Sequence, residues 1–241
     1  MTTVGKTVLV TGANRGIGKA LVEEALKRGA KQVYAGTRQP LTHSDERVTP
    51  LTLDVTDAEQ IKAAVGQVGS LDILINNAGI AAYDDGLSDP AVLDQMLAVN
   101  FYGVRDVIQA FLPKLTESGG AVVNNVSVNA FAPLPLIASY SVSKAAVFNL
   151  TQSLRAILAS RGVSVHAVMT GLADTDMTAG FEVPKSTPQL VAEGVFNGIE
   201  NGAEDIFPDA MAETMAEGWH NGPGKGLERQ YVELYKQFSQ Q

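Results

Sequence analysis

The sequence predicts a doubly wound α/β fold: one domain, built as a three-layer sandwich around a parallel sheet of about seven strands. Two observations carry this. Short β-like apolar runs alternate with amphipathic helical stretches from end to end, which implies parallel strands joined by right-handed crossovers with both sheet faces covered. A glycine-rich segment, Thr11 to Gly18, stands between the first run and the first helical stretch.

The apolar runs cover residues 7–10, 32–35, 49–53, 71–75, 121–126, 163–169 and 205–207. Helical periodicity falls near 17–28, 57–66, 90–115, 140–160 and 188–201. Boundary residues agree: Thr56 and Glu59 have capping-box spacing, while Asp89 before Pro90 and Thr187 before Pro188 read as N-caps ahead of a first-turn proline. After residue 207 the texture changes. Trp219, a Gly222-Pro223-Gly224 turn and a helical stretch over 227–238 form an appended segment within the same domain. In it Leu227, Tyr231, Leu234, Tyr235 and Phe238 share one helical stripe that needs a cover, from this subunit or another.

Composition narrows the function. At 241 residues, 45% hydrophobic and 18% charged, the chain suits a soluble globular protein with a substantial core. A net charge of −8 argues against nucleic acid or an anionic membrane as partner, though not against a small phosphorylated ligand. There is no cysteine, hence no disulfide, thiolate metal site or cysteine nucleophile. Without a signal peptide or an apolar span of membrane length, a cytoplasmic location is expected. His43, His166 and His220 lack metal-ligand spacing, and His166 reads as a satisfied core residue.

The glycine segment Thr11-Gly12-Ala13-Asn14-Arg15-Gly16-Ile17-Gly18 has the context of a dinucleotide site, because glycines admit a tight turn and close phosphate approach while the following helix offers free N–H groups. The phosphate-loop alternative fails, since it requires glycine at Ala13 and a hydroxyl at Ala20. After the second run, where an acidic residue would select NAD, the chain has Gly36-Thr37-Arg38. Arg15 and Arg38 can be solvated surface residues or can pair with a 2′-phosphate, which points to NADP(H). Asp54 and Val55 suit the adenine, and Asn77, Ala78 and Gly79 suit a floor beneath the ribose.

Tyr140 and Lys144, at i and i+4, share a helix face, and Ser127 ends a strand thirteen residues upstream. Such a pair is often only a surface contact. A strand-end hydroxyl facing a helix-borne phenol, however, has the makings of an acid/base centre. A free tyrosine titrates near ~10, so bringing it to neutrality takes ~4 kcal/mol of preferential stabilisation by nearby positive charge.

Together, the glycine loop, Asn76-Asn77-Ala78-Gly79, Asn100, Ser127, Tyr140-Ser141-Val142-Ser143-Lys144, Gly171 and Thr175 closely resemble the short-chain dehydrogenase/reductase superfamily over nearly the whole chain. The resemblance implies a Rossmann-like domain with a seven-stranded sheet, hydride transfer involving nicotinamide, and dimers or tetramers. By matching position it implies Tyr140 as general acid or base, Lys144 lowering its pKa and binding ribose, Ser127 on the substrate oxygen and Asn100 holding a water. Thr175 would orient the carboxamide with the backbone near Ala173 assisting, and Gly171 would belong to the cofactor-binding turn. One departure is Thr170-Gly171, where the family has Pro-Gly.

Ala82, Tyr83, Val128, Asn129, Leu134, Leu136, Leu172 and the stretch 176–187 are expected to line a pocket for a neutral, fairly hydrophobic ketone or aldehyde, with 178–187 forming a mobile lid. A 3-oxoacyl-[acyl-carrier-protein] reductase would share the centre but meet an acidic partner with an acidic chain. A catalytically silent dinucleotide sensor would need only the glycine loop. Ser141-Val142-Ser143-Lys144 also spells Ser-x-x-Lys, without the companion motifs of penicillin-binding enzymes.

Overall fold

Each apolar run forms a strand: β1 (Thr7–Thr11), β2 (Gln32–Thr37), β3 (Val48–Thr52), β4 (Ile73–Asn76), β5 (Ala121–Asn125), β6 (Ser164–Val168) and β7 (Asp205–Ile206). They make one all-parallel sheet in the order β3-β2-β1-β4-β5-β6-β7. In the computed structural model, residues 1–239 are described, with side chains through residue 237. The fold is the Rossmann-like α/β sandwich expected.

Helices α1 (Gly16–Lys27) and α6 (Pro188–Glu200) cover one face of the sheet; α2 (Ala58–Gln67), α4 (Val104–Ser118) and α5 (Ala138–Ala159) cover the other. Because both faces are buried, the strands need apolar residues at successive positions, and β1 and β4 are buried throughout. Strand order reverses between β1 and β4, which opens a crevice at their carboxyl ends. Among the described residues no helix is long and apolar enough to cross a membrane.

Three local expectations change. Asp57, not Thr56, caps α2, accepting from the Glu59 and Gln60 amides, while Thr56 is turned back onto Asp54. The single helix expected over 90–115 is α3 (Pro90–Leu97), a π-helical segment (Ala98–Gly103) and α4. An i→i+5 segment of this kind often marks a functional position; it carries Asn100. The C-terminal segment holds two helices, α7 (Ala210–His220) and α8 (Pro223–Ser239), so Pro223 opens a helix where only a turn was expected.

A buried charge cluster joins these helices to the sheet. Lys225, 1% exposed, reaches Asp205 at 2.7 Å, Glu204 at 2.8 Å and Glu228 at 2.9 Å. Arg155 of α5 pairs with Asp205 at 2.7 Å and also with Glu228. Burial works against ionisation of Asp205, but Arg155 and hydrogen bonds from Lys225 and Trp219 outweigh it and hold the carboxyl below its usual range. Trp219 itself packs on Phe131 and Phe148 with ring centroids 4.7 and 5.4 Å away. It is therefore covered within the chain. On α8 the stripe Leu227, Tyr231, Leu234 and Tyr235 stays exposed; the side chain of Phe238 lies outside the described residues.

Candidate active site

The glycine loop is shaped by what its glycines touch. Gly12 has φ +67°, and a Cβ there would stand 2.9 Å from Ala78 Cα; at Gly18 it would stand 2.0 Å from the Gly12 carbonyl oxygen. Neither position tolerates a side chain, so the loop folds tightly against the turn after β4. Thr11 locks that contact, its hydroxyl accepting from the Asn77 and Ala78 amides, both at 3.0 Å. Arg15 is the extended N-cap residue of α1 and no side chain caps the helix, which leaves its first N–H groups facing the crevice. Asn14 and Ile17 lie in the same turn, Asn14 exposed and Ile17 half-buried.

The two arginines differ. Arg38 is exposed just beyond β2, whereas Arg15 Nη1 donates to Asp176 Oδ2 at 2.6 Å, tying the glycine loop to the segment that follows Thr175. Both partners of that pair are mostly exposed, so it is worth ~1 kcal/mol or less and exchanges readily for a stronger anion. Thr37 is buried, with its hydroxyl donating to the Gln39 carbonyl, and so shapes the turn that presents Arg38. Asp54 accepts from both the amide and hydroxyl of Thr56. Val55 is a correction: its side chain lies in the core against Gly103, leaving only main chain to meet a ligand.

The acid/base residues converge from three elements. Ser127 follows β5, Tyr140 and Lys144 lie on α5, and Asn100 lies in the π-helical segment. Lys144 is buried, its ammonium donating to the Asn125 carbonyl at 2.8 Å and standing 5.6 Å from the Tyr140 ring centroid. Ser127 accepts from the Asn129 amide at 3.1 Å and is near enough to the Tyr140 phenol to favour its ionised form. Asn100 accepts from the Ile80 amide and donates to the Ile80 carbonyl and the Ser143 hydroxyl, each at 2.9 Å. Both hydrogens of its side-chain amide are thereby engaged, which fixes the orientation of the group.

Burial dominates the titration of this centre. It pushes the Tyr140 phenol above its ordinary range, with Ser127 opposing, and it lowers Lys144 to about 8. The expectation of a phenol brought near neutrality is thus not met by the protein's groups alone, because the dry site disfavours both charged forms. Tyr140 keeps its proton at neutral pH.

On the far side, Thr175 packs its methyl 3.0 Å from where a Gly16 Cβ would sit, and Ala173 is buried and forms a strand-like bridge to Ser186. Sequence reasoning missed Asp209. Buried at the N-terminus of α7, it accepts from the Gly171 amide at 2.8 Å and fixes the turn that follows β6; an Asp directly before Ala210-Met211-Ala212-Glu213 was the available signal for a helix start. Asn125 was missed too, and lies between Asn77 and Thr170.

Around the mouth, Tyr83 of the loop after β4 meets Phe181 of the segment 178–187 with centroids 6.1 Å apart. Asp84 accepts from the Ser139 amide at 3.1 Å, holding that loop to the start of α5. Leu136, Met177 and Val183 are exposed on the surrounding loops, and Asn129, Leu134 and Leu172 are half-buried. Val128 is a correction: it is a core residue and not a pocket wall. His166 is buried with both ring nitrogens engaged, by the Ala203 carbonyl and the Ser164 hydroxyl, and no metal-binding cluster occurs among the described residues.

Comparison with known proteins gives this arrangement a context. A family model for short chain dehydrogenase matches residues 6–185. The crystal structure of a short chain dehydrogenase from Burkholderia cenocepacia J2315 in complex with NADP is 37% identical, covers 92% of this chain and 95% of its own, and superposes with a TM-score of 0.86. The short chain dehydrogenase pigC of Monascus ruber is 34% identical over 197 residues, 73% of this chain, which spans 65% of that protein's length. A 3-ketoacyl-(acyl-carrier-protein) reductase from Brucella melitensis, complexed with NADH, is 25% identical with a TM-score of 0.77, covering 84% of this chain and 93% of its own.

Proposed function

Because the chain belongs to the short-chain dehydrogenase family of oxidoreductases, we propose that it is an NADPH-dependent carbonyl reductase acting on neutral, fairly hydrophobic ketones or aldehydes. The observation that carries this reading is the convergence of half-buried Tyr140 with buried Ser127 and buried Lys144, whose ammonium is held by the Asn125 carbonyl. Carbonyl reduction consumes a proton from the enzyme, so a phenol pushed upward by burial begins in the form the reaction needs.

The cradle suits a nicotinamide dinucleotide: Gly12 and Gly18 let the loop fold tightly against the turn after β4, and α1 presents uncapped N–H groups for a pyrophosphate. Gly16, Asn77, Ala78, Gly79, Gly171 and Thr175 complete the binding surface, and Arg38, with Arg15 once released from Asp176, would pair with a 2′-phosphate. When bound, the cofactor supplies the hydride. Ser127 orients the substrate oxygen, Tyr140 delivers the proton to it, and Lys144 opposes negative charge as the phenol gives that proton up. Asn100 ties the Ile80 main chain to α5 through Ser143 and so holds Lys144 in its pocket.

Two features favour a neutral, apolar substrate over an acyl-carrier-protein thioester. The mouth carries exposed Tyr83, Leu136, Met177 and Val183. Its exposed charges include Asp85, Asp174, Asp176 and Glu182, while Lys185 is drawn inward to the Thr178 carbonyl at 2.7 Å. An acidic carrier would be repelled there. We read the whole chain as one cytoplasmic unit that assembles as a homodimer or homotetramer; light scattering before and after removal of residues beyond 226 tests whether the α8 stripe is buried between copies. The direct test of function is NADPH and NADH consumption across ketones, aldehydes, diketones and 3-oxoacyl thioesters. NADPH oxidation confined to neutral apolar carbonyls is expected, and a requirement for carrier-bound thioesters would overturn the reading.

A further inference from the structure

The carboxyl ends of β1, β4, β5 and β6 are laced together by one line of side-chain hydrogen bonds. Thr170 Oγ1, just past β6, donates to Asn125 Oδ1 at 2.6 Å. Asn125 Nδ2, at the end of β5, donates to Asn77 Oδ1 at 3.0 Å, and Asn77 Nδ2 donates to the main-chain oxygens of Thr11 at 3.1 Å and Gly12 at 3.4 Å. The direction of the line is forced from its far end. Main-chain oxygens only accept, so Asn77 must turn its nitrogen to the glycine loop and its oxygen to Asn125. Asn125 must then turn its own oxygen to position 170, where only a donor completes the line. A proline there has none.

The same two residues hold the acid/base groups through their main chain. The Asn125 carbonyl accepts from Lys144, at 2.8 Å, and the Thr170 carbonyl accepts from the Val128 amide, next to Ser127, at 3.0 Å. We propose that Thr170 and Asn125 are positioning residues of the reductase: the Thr170 hydroxyl fixes the Asn125 amide, and this cross-link keeps Lys144 and Ser127 in register with the glycine loop. The proposal rests on the reading of Lys144 and Ser127 as groups of a carbonyl reductase.

Thr170→Val keeps shape and removes the hydroxyl, Thr170→Ser restores it, and Asn125→Val removes the next link. One neutral hydrogen bond converts to roughly a three- to tenfold loss of kcat, with KM for NADPH expected within about twofold of wild type. Thr170→Ser should recover most of the loss. The double variant Thr170→Val/Asn125→Val should be no slower than Asn125→Val, since the link is already broken. A readout independent of turnover is the titration of Lys144, followed by NMR of ¹³C-labelled lysine without cofactor, which should shift in Thr170→Val and return in Thr170→Ser. Wild-type kcat and Lys144 titration in folded Thr170→Val, or additive losses in the double variant, would overturn the proposal. If no protein reduces any carbonyl but the titration still follows Thr170, the positioning of Lys144 stands and the reductase reading falls.

Discussion

Replacing Lys144 with methionine isolates the cost of burying its ammonium. In the folded protein this group titrates at about 8, against 10.5 for an ordinary lysine, because the site withholds water from it. Below pH 8 both folded and unfolded chains hold the proton, and the folded state carries the whole penalty, ~3 kcal/mol. As pH rises through 8 the folded protein sheds the proton first, while the unfolded chain keeps it until near 10.5. Wild-type stability should therefore climb relative to Lys144→Met, by about 2.5 kcal/mol between pH 7 and pH 10. The absolute difference at pH 7 is smaller than the full penalty, since the substitution also strands the Asn125 carbonyl, at a cost of ~1–3 kcal/mol. Urea denaturation of both cofactor-free proteins across this range measures the effect, with all other titrating groups cancelling between them. A stability difference that stays flat from pH 7 to pH 10 would refute the claim of a dry, unfavourably charged Lys144.

Three further outcomes are expected. Tyr140→Phe should bind NADPH nearly as wild type and lose roughly 10²-fold or more in turnover; near-full activity on good substrates would remove Tyr140 from the mechanism. Arg38→Asp should lower the NADPH-over-NADH preference by roughly 10- to 100-fold, the worth of a charge-assisted hydrogen bond. Equal binding of the two cofactors by the parent protein would show that Arg38 selects nothing. Trp219→Ala should cost ~3 kcal/mol in denaturant unfolding, because it removes the aromatic contacts of α7 with Phe131 and Phe148 along with a 2.8 Å hydrogen bond to Asp205; an unchanged midpoint would mean that α7 docks without it.

What the sequence revealed and what it hid divide along physical lines. The strands were legible because a sheet covered on both faces demands unbroken apolar runs, and α3 and α6 because Asp89-Pro90 and Thr187-Pro188 combine a cap with a first-turn proline. The start of α2 was misplaced by one residue because Thr56 and Asp57 are both good caps, and only their geometry shows that Thr56 serves Asp54 instead. Tyr140, Lys144 and the glycine loop stood out since their chemistry depends on neighbours close in sequence. Their supports do not. Asn125 meets Asn77 across 48 residues and Thr170 across 45, Gly171 meets Asp209 across 38, and no periodicity encodes such pairs. The same limit reversed the expected titration of Tyr140. Spacing placed a cation near the phenol, which argues for a lowered pKa, whereas the pocket's dryness is set by side chains gathered from the whole chain and pushes the other way. Burial favours the protonated phenol in the free protein, which is the form from which carbonyl reduction starts.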